Sequence, residues 1–231
     1  MKNLIYLTCC LISLSIAVLM TIKSGPTISK KALDPKYPVA ISTSTVRNTQ
    51  DFTVLIDNED MGSVWRGTGI LLNSTTVLTC AHVIPEDKAT ETLWIYPYPG
   101  DRVVHAKLKF IDSSRDLALL TLDAPVLNHV VPVLAEKVEV GEPILSVGNI
   151  KGYMIWFASY GMISGKHERW VLSDAMIRGG NSGGPWVNSK GEIVALTDVG
   201  WEEKDSVVAG GIPVSDLRDF LARANKHKNK S

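Results

Sequence analysis

Gly180-Asn181-Ser182-Gly183-Gly184-Pro185 sets a serine among glycines, and the segments upstream of it decide the fold. Glycine lets a chain turn without a Cβ clash, so Ser182 is a small nucleophile on a tight bend. The amides of Gly180 and Ser182 can converge there on a developing oxyanion. A serine hydroxyl is a weak nucleophile at neutral pH. It needs a base, and the base needs an orienting carboxylate. Leu78-Thr79-Cys80-Ala81-His82-Val83-Ile84 offers His82, on a short turn after an apolar strand. Ser114-Arg115-Asp116-Leu117-Ala118-Leu119-Leu120 offers Asp116, at the start of another. Each residue alone is unremarkable in its role. A lone histidine is usually packed or solvated, and a lone aspartate before a strand is usually a cap. Jointly, His82, Asp116 and Ser182 follow the chain order of one known serine triad.

The same pentapeptide also satisfies G-x-S-x-G, the strand-to-helix elbow of α/β-hydrolases. That fold needs its histidine after the serine. Here only His227 follows, in the basic tail, and strands do not alternate with helices. Short β-type runs dominate instead: Phe52–Ile56, Gly69–Leu72, Thr76–Thr79, Thr92–Tyr96, Val103–Ile111 and Leu117–Leu122 form one set. Pro143–Val147, Met154–Ile163, Pro185–Val187, Ile193–Thr197 and Val207–Ile212 form the next. Short, regularly spaced strands predict an all-β fold of two six-stranded antiparallel barrels. The expected division is a first barrel over about 40–134, a second over about 135–214, and a C-terminal helix over 215–225. Ser215 would cap that helix, with Leu217, Phe220 and Leu221 on one face.

The 231 residues carry 24 basic and 24 acidic side chains and 45% apolar residues. That balance excludes nucleic acid as the main partner and allows a sizeable core. Of the cysteines Cys9, Cys10 and Cys80, only the last lies in the globular part, so no disulfide is expected within it. Residues 4–22 are nearly unbroken apolar sequence between Lys2 and Lys23. They read either as a signal-anchor or as a signal peptide cleaved after Ser15-Ile16-Ala17. Both place the domain outside the cytoplasm, exported or membrane-anchored. Residues 23–39 read as a linker, and 226–231 as a solvated basic tail.

Taken together, these residues resemble the HtrA/Deg branch of trypsin-like serine peptidases, which have the chymotrypsin fold. The likeness runs over about residues 60–222. It rests on Gly67-Thr68-Gly69-Ile70-Leu71, on Val77–Val83, on Asp116–Leu120 and on Gly161-Met162-Ile163-Ser164. Ser173–Ile177 before the serine loop and Gly191-Glu192-Ile193-Val194-Ala195 after it complete the pattern. The resemblance implies a serine endopeptidase acting on unfolded or exposed protein segments, with His82, Asp116 and Ser182 catalytic. Gly180 and Ser182 would form the oxyanion hole, and no cofactor or metal is implied. It also implies a substrate pocket built from Met176, Ile177, Leu196, Thr197, Asp198, Gly210 and Gly211. Met176 stands where a trypsin has an acid, so the expectation is cleavage after small or medium apolar residues.

Two departures from the family carry expectations. Gly179 stands where the family usually has proline, which predicts a looser oxyanion loop. A PDZ domain after the helix is not expected. Trimers are common in the resembled family, but no oligomer interface is legible. The same motifs would also suit a catalytically silent peptide-binding module, or a processing protease with a single substrate.

Overall fold

The computed structural model describes residues 40–57, 66–84, 92–151, 154–203 and 206–228. The apolar run 4–22, the linker 23–39, Cys9, Cys10, Trp65 and residues 229–231 lie outside them. Among the described residues, no helix is long and apolar enough to cross a membrane.

The first barrel comprises β1 (Thr53–Asp57), β2 (Arg66–Asn73), β3 (Thr76–Thr79), β4 (Leu93–Pro97), β5 (Val104–Asp112) and β6 (Leu117–Leu122). It closes in the order β1-β2-β3-β6-β5-β4, every pair antiparallel. The second comprises β8 (Pro143–Ile150), β9 (Met154–His167), β10 (Trp170–Ser173), β11 (Pro185–Val187), β12 (Glu192–Glu203) and β13 (Ser206–Pro213). Its order is β11-β8-β9-β10-β13-β12, closed by β11 pairing with β12. Closure leaves no open sheet edge. A short β7 (Val133–Leu134) lies between the two sets in sequence and adds to β12 in parallel, so it pairs with the second barrel.

The strand sequences explain why the two barrels sit together. Leu71, Val77, Ala118 and Leu120 pack in the first barrel's interior. Their neighbours Ile70, Leu78, Leu117 and Leu119 point the other way, into a separate cluster. Successive side chains on a strand face opposite sides, so apolar residues at both parities mean two buried faces. The shared cluster includes Leu145 and Val147 of β8, Leu196 of β12, and Leu217 and Phe220 of the C-terminal helix α2 (Val214–Lys228). Ile144, Ile163, Trp186 and Val194 fill the second barrel.

Helix α2 begins at Val214, so Ser215 lies within it and is not its cap, and it extends past the expected end to Lys228. Its Arg218 donates to the carbonyls of Glu136 (2.7 Å) and Ala135 (2.5 Å) in the connection between barrels. Its Arg223 pairs with Asp112 of the first barrel.

Three elements escaped the sequence reading: β7, helix α1 (Thr43–Asp51) and strand β10. Helix α1 has Ser42 as its cap, whose hydroxyl accepts from the Thr45 amide at 3.1 Å. It lacks an apolar stripe because threonines face inward. Thr49 is fully buried, with its hydroxyl donating to the Thr45 carbonyl at 2.7 Å. Such back-bonding satisfies a buried hydroxyl without any hydrophobic signal in the sequence. Strand β10 is only four residues long and follows the polar turn His167-Glu168-Arg169.

Candidate active site

The site lies where the ends of β3, β6 and β12 meet the serine loop. After β3 the chain makes one 3-10 turn, Ala81–Val83, which presents His82. Asp116 sits just before β6 with φ at +56°, a left-handed conformation that aspartate tolerates better than most residues. That conformation turns both carboxylate oxygens onto one residue. Oδ1 accepts from the His82 amide at 2.9 Å, and Oδ2 meets His82 Nδ1 at 2.6 Å. The Asp116 carbonyl accepts from the Ala81 amide at 3.1 Å, tying the two turns together. The imidazole is 44% exposed and the Asp116 side chain 15%, so the ring faces solvent and the carboxylate is sheltered.

Electrostatics follow from this geometry. Burial pulls the His82 pKa down, but the hydrogen bond to Asp116 and the charges of Asp116 and Asp198 outweigh it, and the net shift is upward from 6.5. Burial pushes the Asp116 carboxyl up. Hydrogen bonds from His82 and Asp198 outweigh it, and the net shift is downward.

The serine loop is held by its carbonyls. The Arg178 carbonyl accepts from the Asn181 amide (3.0 Å), Gly179 from Lys151 (2.8 Å), Asn181 from Gly184 (2.9 Å), and Ser182 from Thr68 (2.9 Å). The Gly180 carbonyl accepts from the Thr68 hydroxyl at 2.7 Å. With five successive carbonyls engaged and the Asn181, Gly183 and Gly184 amides donating, the Gly180 and Ser182 N–H groups are what the loop has left to offer. A trans peptide points its N–H opposite its C=O. The Gly179 carbonyl is fixed on Lys151, so the Gly180 N–H points away from that residue. The looseness expected at Gly179 is therefore countered by the Lys151 bond.

Gly180 itself has φ at +100°, and a Cβ there would stand 2.2 Å from the Asn149 carbonyl oxygen. Gly179 lacks a left-handed φ, and a Cβ on it would meet nothing within 4 Å. Gly179→Ala should therefore raise stability by about 0.4–1 kcal/mol, by restricting the unfolded chain. Thermal unfolding checks this, and a fall in Tm would count against it.

Ser182 Oγ donates to the Asp198 carbonyl at 3.2 Å and makes no hydrogen bond to His82. Rotation about its Cα–Cβ bond would free Oγ from that carbonyl.

Beside Ser182 is a cavity of about 260 Å³ lined by Ile177, Arg178, Gly179, Thr197, Asp198, Val199 and Gly200. Ile177, Thr197 and Asp198 of the expected pocket take part. Met176 is half exposed outside that lining, and Leu196 is wholly buried in the core cluster. Gly210 and Gly211 stand on β13, also outside the lining, and a Cβ on Gly211 would meet Trp186 at 3.0 Å. Leu196 and Thr197 have opposite parity on β12, so the two cannot share a face.

The donor atoms of Cys80, His82, Asp116 and Asp198 lie within 4.8 Å of one another. The His82 Nδ1 and the Asp116 oxygens are already committed to each other. The Cys80 thiol donates to the Thr197 carbonyl at 3.2 Å. Burial first, then the nearby carboxylates, hold its pKa well above the ordinary value. The group is arranged around protons, with few lone pairs left for a metal.

Thr68, Asn149 and Lys151 were not foreseen as site residues. Thr68 between two glycines of β2 was the available signal. Its hydroxyl accepts from the Asn149 amide at 3.0 Å while donating to Gly180, so one first-barrel threonine fixes the second barrel's loop.

Two six-stranded antiparallel barrels, with a His–Asp pair on the first and a glycine-flanked serine on the second, make a chymotrypsin-like fold. The family model described as a trypsin-like peptidase domain matches residues 67–196, and the chain belongs to that family. Serine endoprotease DegS of Haemophilus influenzae is 27% identical over 72% of this chain and 52% of its own length. A Haemophilus influenzae protein described as a probable periplasmic serine protease do/HhoA-like is 32% identical over 56% of this chain and 30% of its own. The chain thus spans about a third to a half of the length of such relatives. Among solved structures, the serine endoprotease of Yersinia pestis matches with a TM-score of 0.68 and 26% identity, covering 81% of this chain and 68% of that one. The HtrA/Deg resemblance of the motifs is thereby supported by whole-domain similarity.

Proposed function

We propose that this chain is an exported serine endopeptidase that hydrolyses peptide bonds in exposed or unfolded protein segments through an acyl-enzyme. The observation that carries this reading is the two-oxygen contact of Asp116 with His82, beside a serine loop whose carbonyls are all engaged. In this mechanism Asp116 holds the proton on Nδ1, leaving Nε2 as the base. His82 takes the Ser182 proton as Oγ attacks the scissile carbonyl, and later gives it to the leaving amine. The Gly180 and Ser182 amides receive the oxyanion. The periplasmic relatives support export, and residues 4–22 are the candidate signal or anchor.

A preference for small or medium apolar residues before the cleaved bond is supported by the cavity wall. Ile177 faces Gly200, where a Cβ would come within 3.4 Å of it. The Asp198 carboxyl is engaged by Arg169 and Trp170, and Arg178 adds a positive charge to the same wall. A lysine or arginine substrate side chain would meet no available carboxylate there.

Reaction with a fluorophosphonate probe tests the reading. The wild type should label and Ser182→Ala should not. A folded wild type that fails to label would favour a peptide-binding module. The raised His82 pKa fixes the pH dependence: the base works only when neutral, so kcat/KM should rise with pH. Its acid limb should be half-maximal above 6.5. A half-maximal point below that value would contradict the His82 assignment.

A further inference from the structure

Among the described residues, Asp198 brings a second carboxyl to the His82–Asp116 pair. It lies on β12 and is 7% exposed. Its Oδ2 accepts from Arg169 Nη2 at 3.1 Å and from Trp170 Nε1. Both donors come from the β9–β10 hairpin. Carboxyl oxygens of Asp198 and Asp116 and a ring nitrogen of His82 lie within 4.8 Å of one another. Two carboxyls this close disfavour a charge on both, so the proton affinity of one of them rises. Asp116 accepts from two His82 donors, and both favour its ionised form. Asp198 is therefore the carboxyl that takes up a proton first as pH falls. Burial first, then Asp116, push its pKa up to about 6, against the pull of Trp170 and Arg169. The remaining titratable neighbour is Cys80, a neutral thiol.

We propose that Asp198 is a positioning residue, a second carboxyl behind Asp116 that rests on Arg169 and Trp170 and sets how tightly the His82 imidazole holds its proton. When Asp198 loses its proton, a second negative charge stands behind the imidazole and strengthens its hold on a proton. Arg169 balances that charge. The Ser182 proton still passes to His82 in either state, and Asp198 exchanges its own proton only with solvent. This proposal rests on the catalytic reading of His82, Asp116 and Ser182.

Asp198→Asn keeps a donor for Asp116 and an acceptor for Trp170 but can never be charged. Arg169→Gln removes the balancing charge. The experiment is an NMR titration of the His82 imidazole in a Ser182→Ala background, with kcat/KM profiles of the active forms. Asp198→Asn should lower the His82 pKa by about half a unit or more, and Arg169→Gln should raise it. The acid limb of kcat/KM should move in the same two directions, with KM little changed. A merely structural role would not shift the titration with opposite signs. If either variant fails to fold, carboxyl NMR of Asp198 in the unsubstituted chain decides: titration near 6 supports the proposal, and titration near 3.8 overturns it. An unchanged His82 titration in folded Asp198→Asn also overturns it, while Ser182-dependent labelling would leave the triad standing. A wild type without such labelling removes the catalytic reading, and the proposal with it.

Discussion

Asp116→Asn should lower kcat/KM by about 10⁴-fold while leaving the fold intact. The reason lies in how both carboxylate oxygens are used. Oδ1 takes the His82 amide and Oδ2 takes Nδ1. An asparagine has one oxygen. If that oxygen stays on the backbone amide, the NH₂ group faces Nδ1 and forces it to accept. The ring proton then moves to Nε2, and Ser182 loses its base. If the amide flips, the His82 N–H faces an NH₂ group and the turn loses its anchor. Asparagine adopts the left-handed conformation that position 116 requires, so loss of folding should not intervene. The measurement is kcat/KM on a peptide substrate, with thermal unfolding as the control for structure. A drop smaller than about tenfold would mean that Asp116 does not set the tautomer.

Gly183→Ala should cost about 4 kcal/mol of stability, lowering Tm by roughly 8–16 °C. Gly183 has φ at +87°, and an added Cβ would stand 2.1 Å from the Thr68 carbonyl oxygen and 2.3 Å from Thr79 Oγ1. These two atoms are themselves bonded at 2.7 Å. The methyl group would split that bond and push β2 away from the serine loop. Fluorophosphonate labelling should fall with it, because Thr68 also holds the Ser182 carbonyl. A variant with wild-type Tm would show that β2 can yield at no cost.

The barrels, and the turns that carry His82, Asp116 and Ser182, were legible because their signals are local. Alternating or doubly apolar strands such as Leu117–Leu122 mark themselves, and glycines around Ser182 announce a bend. What escaped was held by partners distant in sequence. Thr68 looks like one more β-branched residue until Gly180 arrives from 112 residues away. Asp198 lines the cavity beside Ser182, as expected, but the partners of its carboxyl were not legible: Arg169 and Trp170 stand on a hairpin whose second strand is too short to read. Helix α1 was illegible for a different reason, since threonines that bond their own backbone replace its apolar face.

Thr68 belongs to one barrel and the loop it holds belongs to the other. The oxyanion loop therefore reports on whether the two halves are docked. A chain whose barrels have parted, through heat or incomplete folding, would lose the Thr68 bonds before either barrel came apart. Under the proposed reading, such copies would lack a formed oxyanion site and could not cut their neighbours.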